Sequence, residues 1–143
     1  MEINSALIDT NVCLDAALQR APFSVAAIEI IERSQLGEFS AMIAAHSFDT
    51  LFYFLRKDKN TNRAYYIINE FRSVFKVAPV TQQVIDDALN ARWNDFEDAI
   101  HYQAAKAADC DAIITRNKKD FKDADLPVLS PQEFLAQFND EEE

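Results

Sequence analysis

Short apolar runs alternating with helix-patterned stretches constrain this chain more than any other feature. Leu7-Ile8, Phe39 to Ala44, Phe75 to Val80, Ala112 to Thr115 and Pro127-Val128-Leu129 read as strands. Helical intervals fill the spaces between them: roughly Val12 to Leu18, Val25 to Gln35, Phe48 to Arg56, Ala64 to Phe71, Thr81 to about Arg92, and Phe96 to Ala108. The order β-α-α-β-α-α-β-α-α-β-β-α predicts an α/β fold with a parallel sheet, because parallel neighbours need long crossover connections and helices supply them. Local punctuation agrees. Gly37 is placed to end the second helix, and Thr81 is a good N-cap. Ser130-Pro131-Gln132-Glu133 combines a cap, a proline at the first helical position and an acidic first turn. No internal repeat, low-complexity stretch or linker is visible, so residues 1–138 read as one domain and 139–143 as an acidic, disordered tail.

Bulk properties narrow the chemistry. With 143 residues, 49% of them apolar, the chain can build one domain with a proper core. Its longest apolar stretch, Ala41 to Ala45, is too short to span a bilayer. Met1 to Asn4 carries no basic leader, so no secretory signal and no membrane association are expected. Cys13 and Cys110 follow neither a metal-ligand nor a disulfide-framework spacing, and are expected as buried thiols in a reduced, cytoplasmic setting. A formal charge of −10 argues against nucleic-acid binding through a broad basic surface. It leaves room for an enzyme whose metal supplies local positive charge. The single glycine, Gly37, excludes the P-loop and the dinucleotide-binding fingerprint, which need several glycines to bring backbone amides onto phosphate. His46 and His101 stand far apart in sequence and do not suggest a zinc site.

Parallel α/β sheets place their sites beyond the carboxyl ends of the strands. Here those ends carry acids and amides. Asp9-Thr10-Asn11 closes the first strand, Asp95-Phe96-Glu97-Asp98 opens an alanine-rich helix, and Thr115-Arg116-Asn117-Lys118-Lys119-Asp120-Phe121 follows the fourth strand. Acids gathered at one point repel one another unless a hard divalent cation, Mg²⁺ or Mn²⁺, sits among them. Helix capping is the competing role. Asp9, Thr10 and Asn11 are all cap formers, but Asp9 lies at the strand end, which favours a metal role for it and leaves Asn11 to tune the site or hold the loop. Asp95 and Asp98, three apart, share a helix edge. Capping accounts well for Asp95 and less well for Asp98, which adjoins Ala99-Ile100 where the helix should meet the sheet. Phe96, Ile100, Gln103 and Ala107 mark the neighbouring, buried face, with Glu97 directed to solvent. Arg116-Asn117-Lys118-Lys119 is the densest basic patch, either a polar loop or a seat for a phosphate backbone.

Taken together, DTNV at 9–12, DFEDA at 95–99 and TRNKKDF at 115–121 resemble the PIN-domain nucleases, nearest to the branch that includes VapC-type toxin ribonucleases. The resemblance runs from the first strand to the closing SPQEF helix, and its specificity lies in the order and separation of the motifs. It implies a three-layer α/β/α sandwich around a central parallel sheet of about four to five strands. It also implies an acidic pocket that binds Mg²⁺ or Mn²⁺ for RNA hydrolysis. By that resemblance Asp9 matches the first metal-binding acid and Asp98 the acid preceding the helix alanine. Asn11 matches the polar residue of the first loop and Thr115 the hydroxyl beside the site. Asp95 is a further metal candidate, Asn117 and Asp120 complete the set that orients water, and Arg116 and Lys118 join Asn11 and Thr115 in holding the RNA. Two positions depart from the family pattern. The acid of the helix after the second strand falls on Thr50, with Asp49 about 100° around the helix, and Asn117 stands where many relatives carry aspartate.

The expected function is therefore a metal-dependent endoribonuclease, as the toxin of a toxin–antitoxin pair. Its expected partners are RNA, an antitoxin protein and a second copy of itself. Phe52, Tyr53, Tyr65 and Tyr66 are interface candidates that core packing would equally explain. The alternative is a PIN-like scaffold that binds RNA or protein after losing part of its acid set. An aspartyl-phosphate phosphatase using Asp9 is disfavoured, since that chemistry pairs its nucleophile with a second Asp two residues on, where this chain has Asn11.

Overall fold

Strand β1 (Ser5–Ile8) lies in the middle of the sheet, and the rest of the chain winds out from it in both directions. In the computed structural model, which describes residues 2–142, with side chains described as far as Asn139, β1 leads into α1 (Thr10–Ala17) and α2 (Ser24–Gln35). Then come β2 (Ser40–Ala44), α3 (Ser47–Asp58), α4 (Thr61–Val74) and β3 (Lys76–Ala78). The second half comprises α5 (Gln82–Ala91), α6 (Phe96–Ala107), β4 (Ala112–Ile114), a 3₁₀ turn (Lys118–Phe121), β5 (Val128–Leu129) and α7 (Pro131–Glu142). Apart from the 3₁₀ turn, the order is the one the sequence predicts. The acidic tail expected at 139–143 falls almost wholly on residues whose side chains lie outside those described.

The sheet order is β3-β2-β1-β4-β5, with every neighbouring pair parallel. Both faces are covered, so the strands alternate between two cores rather than between core and water. Ala6, Ile8, Ile43 and Ile114 face the core shared with α1 to α4 and α7. Leu7, Ala44, Ala78 and Ile113 face the core shared with α5 and α6. The result is the expected three-layer α/β/α sandwich. Alanines at 99, 104 and 105, all fully buried, give α6 a thin inner face that lies close over β1, β2 and β4. Among the described residues, no helix is long and apolar enough to cross a membrane.

Caps stop the helices where the sequence indicated. Gly37 takes φ +78°, its N–H donates to Ser34 O, and the Glu38 N–H donates to Arg33 O, closing α2 with a Schellman motif. Thr81 Oγ1 accepts the Val84 N–H at 3.2 Å to open α5. At α7 the Glu133 N–H donates to Ser130 Oγ at 3.1 Å while the Ser130 N–H donates to Glu133 Oε1 at 2.9 Å, a reciprocal capping box.

Winding proceeds outward from β1 to β2 to β3, then the chain crosses back to place β4 on the other side of β1. The reversal lies between β1 and β4. Strands diverging there in opposite winding senses leave a crevice at their carboxyl ends, which is where open α/β sheets bind ligands.

Candidate functional site

Asp9 sits at that crevice. Its N–H continues the sheet ladder by donating to Ile114 O at 3.0 Å, and its carbonyl accepts from the Val12 and Cys13 N–H groups to start α1. Its side chain makes no capping bond. Instead Asp9 Oδ2 accepts from Thr115 Oγ1 at 2.7 Å, in a position only 5% exposed. The cap explanation thus fails for Asp9, because the backbone starts the helix while the carboxylate turns inward. Thr115 is fully buried directly after β4, and its hydroxyl also accepts the Asn117 N–H at 3.0 Å, which pins the loop that follows.

Asp98 reaches the same crevice from α6. The cap role does hold for Asp95, which is exposed and whose Oδ1 accepts the Asp98 N–H at 3.0 Å. Asp98 is half-buried. That burial, then the negative charges of Asp9 and Asp95, push its carboxyl up to about 7, with Asp120 adding to the effect and His101 opposing it. A carboxyl raised by the acids beside it marks a negative pocket short of a counter-charge. Among the described residues no lysine or arginine pairs with Asp9 or Asp98.

The residue that sequence reasoning missed is His101. It is fully buried, with Nε2 3.4 Å from Thr10 Oγ1, 3.4 Å from Glu97 Oε1 and 3.7 Å from Asp9 Oδ1. Thr10 Oγ1 in turn meets Ser47 Oγ at 2.8 Å, tying in the first turn of α3. The expected inner face of α6 requires correction. Phe96 is 44% exposed and Ala107 is exposed, whereas Ala99, Ile100, His101, Tyr102, Ala104 and Ala105 are buried. Both stripes obey helical spacing, but the alanine stripe permits the closer approach to the sheet and wins. The available signal was that His101 lies three residues after Asp98 and four after Glu97, on one helix edge. Glu97 is also corrected. Its carboxylate is half exposed, yet it engages His101, and that hydrogen bond holds its pKa below the usual range.

His46 and His101, unconnected in the sequence reading, lie side by side with ring centroids 4.6 Å apart and planes inclined by 38°. Burial, with His101 adding to it, lowers the His46 pKa to about 4, so its ring is neutral near neutral pH. Neither Thr50, half-buried, nor Asp49, exposed, joins the ligand groups around Asp9. The start of α3 contributes His46 and Ser47 to this neighbourhood instead.

The basic loop behaves differently from expectation. Arg116 turns away from the crevice, with Nε 2.6 Å from Asp15 Oδ2 and its guanidinium 4.0 Å above the Phe23 ring. Lys118 Nζ pairs with Glu133 at 2.8 Å, which with the Ser130 N–H draws that carboxyl down to about 2. Both cations are therefore already matched by acids within the fold. Asn117 begins the 3₁₀ turn without a side-chain cap, and Asn11 is half-buried with its carbonyl accepting from Arg20. Asp120 is exposed but within electrostatic reach of Asp98. Next to it opens a cleft of about 400 Å³ lined by Arg92, Trp93, Asp95, Lys119, Asp120 and Lys122.

Asp9, Asp98 and His101 bring ligand atoms within 4.8 Å of one another, as do His46, Glu97 and His101. The first group, two carboxylates without a cationic partner beside a polarisable ring, fits a divalent cation on donor type and on charge. The match of the chain to known proteins agrees with this geometry. Residues 5–119 match the family model described as PIN domain. The chain is 27% identical over 148 residues to ribonuclease VapC1 of Aquifex aeolicus (strain VF5), covering 97% of this chain and 99% of that one. Among solved structures, VapBC2 from Rickettsia felis bound to a DNA fragment from its promoter superposes with a TM-score of 0.67 at 16% identity, over 88% of this chain and 98% of that one. A toxin-antitoxin complex from Klebsiella pneumoniae gives 0.66 at 23% identity, over 88% and 97%. With the acids at the sheet's carboxyl edge, the winding reversal above them and a family model that spans both, the chain belongs to the PIN domain family.

Proposed function

We propose that this chain is a Mg²⁺- or Mn²⁺-dependent endoribonuclease, and the toxin of a toxin–antitoxin pair. The observation that carries the reading is Asp9: a buried carboxylate, oriented by Thr115, that raises the pKa of Asp98 across the crevice. Asp9 and Asp98 hold the cation, with Asp95 at the rim. A bound ion of this kind lowers the pKa of its water and neutralises charge developing on a phosphodiester. Thr115 fixes Oδ2 of Asp9, so one carboxylate geometry is kept ready. Asp120 and Asn117 border the opening, where they orient the attacking water and Asp120 can accept its proton. Asn11 flanks the scissile phosphate, whereas Thr115, expected there too, is fully buried and acts on the substrate only through Asp9. Arg116 and Lys118 hold the loop through Asp15 and Glu133, so contact with the RNA backbone falls more naturally to Arg92, Lys119 and Lys122 in the adjoining cleft.

The same reading supplies partners. Tyr53, Phe54, Tyr65 and Tyr66 are between 41% and 60% exposed on α3 and α4, which suits a protein interface for an antitoxin or a second copy. An RNA substrate puts the work of the protein in the cytoplasm. The relative from Aquifex is called a ribonuclease and the Klebsiella structure a toxin-antitoxin complex, which supports both halves of the proposal.

The decisive experiment is cleavage of RNA in Mn²⁺ by the native chain and by Asp9→Asn. Loss of a direct ligand should exceed the roughly 10–100-fold effect typical of outer partners; equal cleavage by the two proteins would overturn the reading. A second reading, a PIN-like scaffold without catalysis, is favoured by Thr50 at the position of a family acid. Calorimetric titration with Mn²⁺ separates the two, since absence of binding supports the scaffold.

A further inference from the structure

Beside the acid pocket lies a cluster that the nuclease reading does not use. His46 Nδ1 and Nε2 and His101 Nδ1 are sealed from solvent and find no hydrogen-bond partner in the protein. Buried polar atoms left in that condition are costly, so natural folds rarely keep three together without a use for them. The contact between the two rings, tilted by 38° with centroids 4.6 Å apart, does not supply one, since it gives none of these nitrogens a hydrogen-bond partner. Glu97, four residues before His101 on α6, closes the group with Oε1 3.4 Å from His101 Nε2. Its carboxylate is 49% exposed, so the cluster communicates with solvent on that side while those ring nitrogens remain enclosed.

We propose that His46, Glu97 and His101 form a second metal site, for a borderline transition ion of the Zn²⁺ or Co²⁺ class rather than for Mg²⁺. Two imidazoles and one carboxylate are the donor set that such ions accept with a fourth position left open, and hard Mg²⁺ prefers oxygen donors and its own water. The ligand atoms already lie within 4.8 Å of one another, a spacing at which one ion could be shared among them. An ion seated there would satisfy one of the stranded nitrogens of His46. His101 Nε2 faces Glu97 at 3.4 Å and Asp9 at 3.7 Å, so this ion would take the nitrogen that otherwise borders the acid pocket.

The proposal does not depend on RNA cleavage and is tested by binding alone. Co²⁺ is titrated into the metal-free full chain and its visible d–d absorption followed, with native protein, His46→Gln, Glu97→Gln and Asp98→Asn compared. Native protein should give intense bands of tetrahedral or five-coordinate Co²⁺, which excess Zn²⁺ bleaches and Mg²⁺ does not. His46→Gln and Glu97→Gln should each weaken Co²⁺ binding by about tenfold or more, and Asp98→Asn should leave the bands in place. Circular dichroism establishes that each variant is folded, and Glu97, half exposed, can be changed without disturbing the core. No Co²⁺ bands in the native chain, undiminished binding in both His46→Gln and Glu97→Gln, or loss of the bands only in Asp98→Asn would overturn it.

Discussion

Asp9 divides its labour between atoms: its peptide group starts a helix and continues the sheet ladder, which frees its carboxylate for the crevice. Asp98 has the reverse character, a carboxylate kept costly by its setting. Its folded pKa of about 7 stands above the usual 3.8. The folded chain then retains a proton that the unfolded chain has lost between about pH 4 and 7, so metal-free stability falls as pH rises through that window and is level above it. Allowing for solvent screening of a half-buried group, the penalty is about 1–2 kcal/mol. Asp98→Asn should therefore stabilise the metal-free protein by about that amount near pH 8 and by almost nothing near pH 4, as read from urea melts in chelator. Divalent ions must displace the same proton, so Mn²⁺ affinity should drop as pH is lowered below about 7 in calorimetric titrations. Thr115→Val removes the donor to Asp9 while preserving shape, and should weaken Mn²⁺ binding by about tenfold. At this scale the sequence disclosed the acids, since strand ends are visible in apolar runs. It concealed His101, because which of two equally periodic stripes of a helix faces inward depends on how closely that helix must approach the sheet.

At the scale of elements the reading was nearly complete. Each strand and helix exists where apolar periodicity put it, and the caps at Gly37, Thr81 and Ser130 were legible because capping is local chemistry. The 3₁₀ turn at Lys118–Phe121 was not, since charged, turn-like composition says little about which short-range bonds form. The polarity of loop residues was visible too, but their partners were not: Arg116 finds Asp15, 101 residues away, and no local rule could pair them. Gly37 offers a clean test of backbone against packing. A Cβ there would meet nothing within 4 Å, so the φ of +78° is the whole objection to a side chain. Gly37→Ala should cost about 1 kcal/mol, and Gly37→Asn less, by thermal denaturation.

For the whole molecule, the ion cluster around Asp15 joins regions that the sheet alone does not. Asp15, 1% exposed, receives Arg116 from the loop after β4 and Arg20 from the chain beyond α1. Asp15→Ala leaves two arginines that can turn back to water, so its cost should be about 2 kcal/mol, below the 3–5 kcal/mol of stranding a fully buried charge; chemical denaturation measures it. The excess of negative charge, −10 over the chain, repels itself in the folded state. The melting temperature should accordingly rise as salt is raised from about 0.01 to 0.15 M, the range over which the Debye length shortens from about 30 to 8 Å.

The crossing that carries the chain back over β1 also sets the order in which the crevice can be assembled during synthesis. Asp9 emerges from the ribosome with the first strand, whereas Asp98, His101 and Thr115 all follow the exposed turn at Asn94. A nascent or prematurely terminated polypeptide that stops there carries one donor and none of its companions. A nick in the same turn would leave Asp9 on one fragment and Asp98, His101 and Thr115 on the other. The crevice is complete only once β4 and the loop after it have been made, so its donors come together late in synthesis.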